Sequence, residues 1–298
     1  MINFTKHKEK YLIFSGILVL VSVLAIIIFG FNFGIELAGG SVLEVAYEHE
    51  QRPPIEEVRE KIDGLGLDDF QIQEMESREE QDQFDGFIIR TTETDEDVFY
   101  EIMGVLEGAE IRESESIGPA VGRELRNTTI AAIIVASLMV IVYIAFAFSG
   151  ATGPVSSWQY GATATLVAFF HDVLIIVGFF SVLGYFYGVQ FTIPIAVALL
   201  TTLGYSLNDT VVIFDRVREN LERASGKFEE IVNKSLNETL SRSINTSLTT
   251  LLVLFAILFF GANTLFYFIL ALILGVALGT YSSIFLASSL LLKWRERA

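Results

Sequence analysis

The chain contains no cysteine, so no disulfide can staple any part of it, and thiolate metal sites and cysteine nucleophiles are excluded as well. Histidine is nearly as scarce, at His7, His49 and His171 only. No phosphate-cradling glycine loop, nucleophilic triad or cluster of metal-ligating side chains occurs. An enzyme or ATPase reading therefore has nothing to rest on, and no cofactor or metal is called for. Positive charge is thin and unevenly spread. Residues Phe31 to Asn127 hold 26 of the 36 acidic residues but only 8 of the 20 basic ones, a local net of −18 against +2 for the remainder. An acidic excess of this kind mainly keeps a segment in water, and it gives no footing for nucleic acid.

What the chain has in abundance is apolar sequence. Of its 298 residues, 52% are hydrophobic, and the mean hydropathy of +0.53 exceeds that of an ordinary water-soluble domain. The hydrocarbon core of a membrane is crossed by about 20 apolar residues in a helix. Six segments meet that length: Tyr11–Phe31, Thr128–Phe148, Trp158–Gly184, Thr192–Phe214, Ile244–Phe260 and Asn263–Leu292. They must be helical, because backbone groups facing lipid find no partners outside their own segment. The basic start followed by the first apolar run imitates a signal peptide. The run is too long for one, however, and no small-residue cleavage site follows it, so it reads as an uncleaved span.

Lys and Arg near span ends set the orientation. Lys6, Lys8 and Lys10 precede span one; Arg216, Arg218, Arg223, Lys227, Lys234 and Arg242 lie between spans four and five; Lys293, Arg295 and Arg297 follow span six. An even number of spans places all three groups on one side, the cytoplasm, with both termini there. The bases of Arg216–Lys234, read as an amphipathic helical connection, fit this rule better than nucleic-acid or specific-lipid binding. The loop Ser149–Ser157 carries no charge and is silent on orientation. The organisation is thus a cytoplasmic N-terminus and first span (1–31), an extracytoplasmic insert (32–127), and a five-helix membrane domain (128–298) with a cytoplasmic loop at 215–242.

Within the insert, Ser41–Glu48 alternates as a strand. Pro54 opens a helix with Ile55, Val58 and Ile62 on one face. Asp69–Met75 and Phe87–Thr92 read as strands, Thr94 as the cap of a second helix carrying Val98, Ile102 and Val105/Leu106, and Ala109–Ile117 as a final strand. The order β-α-β-β-α-β is the ferredoxin-like arrangement of an α+β domain, with one sheet face under helices and one open. The open face is either a contact surface for a partner or an emerging polypeptide, or simply solvated; the fold alone does not decide.

Ionisable groups inside spans are costly and draw attention to function. Asp209 lies in span four, six residues before Asp215 and roughly 9 Å from it along a helix. Arg242 enters span five from the same side. Burial favours the protonated form of a carboxylate and a nearby guanidinium the ionised form. A carboxylate whose distance to Arg242 changes can then accept a proton in one arrangement and release it in another. The pair is equally readable as a static lock between the two spans. His171 and Asp172 sit in span three; adjacent helical residues point about 100° apart, so they read as a structural polar anchor with His171 as accessory. Asn208 and Thr246 are further polar groups within the spans, and span five is rich in hydroxyls. Gly275, Gly279, Ser283 and Ala287 recur every four residues in span six, a spacing that permits close helix packing.

These motifs resemble the SecF members of the SecD/SecF family, within the resistance–nodulation–division superfamily. The resemblance is carried by FNFGIELAGGSVLEV (Phe31–Val45), IGPAVGRELR (Ile117–Arg126), the HDV of span three, GYSLNDTVVIFDRVREN (Gly204–Asn220), TLSR in span five and GTYSSIFLASSLLLK (Gly279–Lys293). It implies a six-span subunit of the bacterial cytoplasmic membrane. It further implies pairing with SecD, association with the SecYEG channel, and use of the proton motive force (sodium in some members) to move a translocating polypeptide. The family's span-four aspartate falls on Asp209 and its span-five arginine on Arg242. The motif after span one departs from the family's usual Asp-Phe-Thr-Gly-Gly. It reads Glu36-Leu37-Ala38-Gly39-Gly40 after Gly34, and the usual bases after span two are missing. Two other readings compete: half of a two-part exporter of small molecules or lipids, and a scaffold without transport. Six spans and one external domain need a partner half to make a pump, and a scaffold could use Ser or Asn at lower cost than Asp and Arg.

Overall fold

The computed structural model describes residues 2–48, 51–67, 70–76, 84–92, 94–149, 155–223 and 226–297. The chain divides into a membrane unit, residues 1–32 with 131–298, and a sheet unit, residues 33–130.

Among the described residues six helices are long and apolar enough to cross a bilayer. They are α1 (Lys8–Phe29), α5 (Pro119–Ala147), a third helix built from α6 (Ser157–Thr165), a π-helical stretch (Leu166–Val173) and α7 (Leu174–Tyr187), then α8 (Ile193–Arg223), α9 (Phe228–Phe260) and a sixth made of α10 (Phe266–Tyr281), a second π stretch (Ser282–Ala287) and α11 (Ser288–Arg297). More than half of the apolar stretch of α8 and of the sixth helix is buried, against less than a fifth in α1, α5 and α9. These two helices form the centre because small residues let their backbones approach. A Cβ on Gly275 would lie 2.0 Å from Thr202 Oγ1, and one on Gly279 3.0 Å from Ser206 Cβ. Ser283 and Ala287 continue the same row and are fully buried. The partner that the four-residue spacing left unspecified is therefore α8. A second close approach, not evident from spacing, joins α1 to α7, where a Cβ on Gly178 would lie 2.6 Å from Ser22 Cβ.

Two helix ends differ from expectation. α5 begins at Pro119, nine residues before Thr128, since a proline is well placed in a first turn. The connection expected as one amphipathic helix over Arg216–Lys234 is instead the continuation of α8 to Arg223 and the start of α9 at Phe228. A polar seam holds these extensions together. Arg216 Nε donates to Glu238 (2.7 Å), and Asn220 Nδ2 donates to Ser235 (2.9 Å) and Glu238 (2.8 Å). Bases near the two termini are also engaged: Lys8 with Glu296 and Lys293 with Glu9, each at 2.6 Å.

The sheet unit contains α2 (Ile35–Ala38), β1 (Gly40–Glu48), α3 (Ile55–Asp63), β2 (Phe70–Glu76), β3 (Phe84–Thr91), α4 (Glu96–Val105) and β4 (Glu110–Ile117). The strands lie in the order β2-β3-β1-β4 with every pair antiparallel. Leu43, Val45 and Tyr47 of β1, with Phe87 and Ile89 of β3, pack against Val58 and Ile62 of α3 and Val98 and Ile102 of α4. The edge strand β4 is exposed along nearly its whole length and alternates glutamates with Arg112 and serines, a charged edge of the kind that resists pairing with another chain. Asp69 and the polar stretch before β3 lie outside the described residues. Thr94 is not the cap of α4. Asp95 occupies that position, and the Thr94 carbonyl accepts from Ser116 Oγ (3.1 Å). Pro54 likewise stands at the cap, one residue ahead of α3.

The two glycines before β1 have backbone reasons. Gly39 (φ 84°, ψ 166°) lies in a region essentially confined to glycine, and a Cβ there would sit 2.6 Å from Pro119 Cα. One on Gly40 (φ 124°) would sit 2.5 Å from the Thr91 carbonyl oxygen. Gly122 of α5 is bound by the same contact, its Cβ position being 2.4 Å from Gly39 N. The turn thus needs Gly39–Gly40 whatever precedes them, which explains why Leu37 and Ala38 can stand there. Gly34 is the extended residue at the cap of α2.

Candidate functional site

Among the described residues of the membrane unit two carboxylates are buried, and their environments are unlike. Asp172 is fully buried and fully partnered. Its Oδ2 accepts from Ser206 Oγ of α8 (2.5 Å) and from Ser282 Oγ of the second π stretch (2.8 Å), while its Oδ1 lies 2.7 Å from His171 Nδ1. Ser206 continues the web, its carbonyl accepting from Thr210 Oγ1 and Ser283 Oγ, each at 3.0 Å. The adjacent His171 and Asp172 thus bond to each other, while Ser206 and Ser282 are partners of Asp172. In a π turn the short Asp side chain can reach the ring beside it. Ser206 and Ser282 were not singled out from the sequence; isolated serines in apolar helices were the only signal of them.

Asp209 is 4% exposed and has the opposite character. Its Oδ2 makes no hydrogen bond, and neither does the buried hydroxyl of Ser243 on α9, which lies within reach of the carboxylate. Arg242 stands within electrostatic reach, yet among the described residues no ion pair joins the two. Arg242 is on an exposed face of α9, as are Asn208 of α8 and Thr246, whose hydroxyl donates to the Arg242 carbonyl (2.9 Å). One turn away from Asp209, Tyr205 Oη donates to Ser247 Oγ (3.1 Å), which also accepts from Thr280 Oγ1 (2.6 Å), so α8, α9 and α10 are tied at this level. The site is a carboxylate with an unused lone-pair oxygen, a hydroxyl beside it and a cation nearby but unbonded.

Residues 100–297 match the family described as protein export membrane protein SecD/SecF, C-terminal, and residues 24–50 match the SecD/SecF GG motif. The chain belongs to the SecD/SecF family. Among its relatives is the protein translocase subunit SecF of Thermobaculum terrenum, 38% identical over all of this chain and 95% of that one. Another is SecF of Desulfurispirillum indicum, 36% identical over 99% of this chain and 92% of that one. The protein translocase subunit SecDF of Thermus thermophilus is 33% identical over 95% of this chain, which spans 37% of its length. A crystal structure of that translocon-associated SecDF superposes with a TM-score of 0.84 at 32% identity, covering 99% of this chain and 39% of the other. This family member is a multi-pass membrane protein that serves protein export by the Sec pathway.

The matched GG motif places acidic groups where pH acts on them. Burial, then repulsion from Glu113, pushes the Glu44 carboxyl above its ordinary 4.5, with Arg90 and Arg112 opposing. Burial also raises that of Glu36, helped by Glu115 and opposed by its backbone hydrogen bond and Arg90. A carboxyl that binds its proton more readily when folded adds stability at low pH, and this is lost as pH climbs through the folded value. Amide-exchange protection of β1 in the full chain, corrected for the intrinsic rate, is accordingly expected to fall as pH rises above 4.5. The double change Glu36→Gln, Glu44→Gln should flatten that dependence; protection that rises over the same range would contradict the assignment.

Proposed function

We propose that this subunit supports polypeptide export by coupling it to proton movement through Asp209 and Arg242, in combination with a SecD half that completes the membrane domain. The observation that carries the reading is the unpartnered Asp209 Oδ2, buried beside the equally unpartnered Ser243 Oγ and facing no fixed counter-ion. A proton arriving at Asp209 would weaken its attraction to Arg242, and loss of the proton would restore it, so the two states favour different α8–α9 arrangements. The sheet unit is joined to the membrane unit through α1 and α5, and a shift of those helices would move it. We read the unit as a ferredoxin-like domain outside the cytoplasmic membrane. Its strand order and antiparallel pairing support the fold, and the clustering of Lys and Arg at the other ends of the spans supports the side. The ion is a proton in this reading, with sodium as the alternative carrier, and the SecYEG channel and its translocating polypeptide are the proposed partners.

An exposed stripe on α8 supports the docking of a second half. Val197, Thr201, Gly204, Asn208 and Asp215 are all exposed on a helix that is otherwise mostly buried. Thr201, Gly204 and Asn208 are poor residues to show to lipid and good ones for a helix contact. The chain has no cysteine, so single cysteines can be read without background. Thr201→Cys and Asn208→Cys are expected to cross-link to a SecD partner carrying cysteines in its own central helices, and Ile17→Cys on α1 is not. For the coupling itself, the test is export of a secreted reporter in cells depleted of their own SecF. The wild-type chain restores it and Arg242→Ala does not, at equal membrane abundance. Full export by Arg242→Ala would leave the scaffold reading in place.

A further inference from the structure

We propose that the segment Ile2–Thr5 is a strap that fixes the position of α9, with Asn233 and Asn237 as positioning residues that act through it on Arg242. The two asparagines stand four residues apart on α9, on one face of the helix. Both spend their side chains on the main chain of that segment. Asn237 reads Ile2 twice: its Oδ1 accepts from Ile2 N (2.8 Å) and its Nδ2 donates to the Ile2 carbonyl (2.8 Å). Asn233 Oδ1 accepts from Phe4 N, also at 2.8 Å. Ile2 thus makes with one side chain the exchange of N–H and C=O that a strand residue makes with its neighbour.

The other side of the segment is anchored in the core. Phe4 is buried, and its ring meets that of Phe285 in the second π stretch edge-on, with centroids 5.8 Å apart. Thr5 is buried as well. Asn3 Oδ1 accepts from Lys6 N and Thr5 Oγ1, each at 3.1 Å, which leads the chain through the turn Thr5–His7 into α1. A segment entering a first helix is ordinarily loose unless tied down. This one is tied to α9 on one side and to the sixth helix on the other.

α9 is otherwise lightly held. Less than a fifth of its apolar stretch is buried. Its extension beyond that stretch is bonded to α8 through Ser235 and Glu238. At about 100° per residue, Asn233 and Asn237 lie on roughly the opposite side from that pair. The extension is therefore gripped on two faces, by α8 and by the strap. Arg242 follows Asn237 by five residues in the same unbroken helix, about 7.5 Å along its axis. A bond at Asn237 thus sets where the Arg242 backbone, and with it the guanidinium, stands relative to Asp209. Helix propensity gives no reason for the asparagines, which are poorer helix formers than Ala, Lys or Glu. The bearing of the strap on export rests on the coupling role proposed above for Arg242.

The test is the distance between spin labels at Ile13→Cys on α1 and Ile244→Cys on α9, measured by pulsed electron paramagnetic resonance on the full chain in lipid bilayers. Both positions are exposed, and the chain supplies no other cysteine. The parent should give one narrow distribution. Asn233→Ala with Asn237→Ala should broaden it and shift it to longer distances, although alanine strengthens the helix itself. Asn237→Gln, which keeps donor and acceptor, should stay closer to the parent than Asn237→Leu. Phe4→Ala should also broaden the distribution, and combining it with the two alanines should add nothing, since all three undo one strap. Export by the double alanine variant, at equal membrane abundance, should fall part-way toward that of Arg242→Ala. An unchanged distribution, or effects of Phe4 and the asparagines that simply add, would overturn the strap. A broadened distribution with full export would overturn its action on Arg242. Full export by Arg242→Ala would refute the coupling role instead, and the label distances would still decide the strap.

Discussion

Asp209→Asn is expected to leave the protein folded and inserted while reducing its support of export to that of cells without it. The amide has the size and shape of the carboxyl, and it meets the same α9 surface, so packing gives no reason for loss. What the substitution removes is the ability to take up and release a proton and to respond to Arg242. Since Oδ2 makes no hydrogen bond to begin with, an amide nitrogen in its place deletes none there. A scaffold role for Asp209 would therefore predict normal export, or even a more stable protein, because replacing an unpaired buried charge by a neutral group relieves its desolvation. Asp209→Glu keeps the chemistry but extends the side chain into a close-packed helix contact, and partial export is expected. Reporter export at matched membrane abundance separates these outcomes.

The second large effect lies in the packing of α8 on the sixth helix. Gly275→Leu should prevent stable accumulation, because even the first added carbon would stand 2.0 Å from Thr202 Oγ1 and 2.5 Å from its Cγ2. Overpacking of this kind costs about 1–3 kcal/mol where neighbours can yield, and more where they cannot. The milder Gly275→Ala is expected to lower thermal stability measurably, and Thr202→Ala should recover most of that loss. Thr202→Ala alone should be nearly neutral, since its buried hydroxyl makes no hydrogen bond and forfeits none. A double-mutant cycle on the pair therefore gives a coupling of opposite sign to the single Gly275→Ala effect. Additive losses would mean that the two residues do not meet.

The six spans were legible in the sequence because a run of some 20 apolar residues has few other fates. Their ends were less so. α8 and α9 run on past the apolar stretch because Arg216, Asn220, Ser235 and Glu238 find one another, and those partners are as many as 22 residues apart. Asp209 and Arg242 stood out as charges in apolar surroundings, but their mutual geometry did not. Helical periodicity says nothing about which way the Arg242 face turns when the neighbouring helix is unknown. The His171–Asp172 pair was visible, and its environment was not. Ser206 and Ser282 lie 34 and 110 positions from Asp172, and π turns leave no simple mark on composition. The same limit applied to the row of small residues from Gly275, which announced a close contact without naming α8. In the sheet unit the strand alternation was enough to order the elements, whereas Thr94 and Asp95 are both good caps, and composition does not choose between neighbours.

The most direct measurement is export of a secreted reporter into inverted membrane vesicles containing this subunit with its SecD partner, with the proton gradient intact and collapsed. Collapse should slow export by the wild-type chain and make no difference to Asp209→Asn, which should already run at the slower rate. An Asp209→Asn protein that responds to the gradient as fully as the wild type would contradict the account.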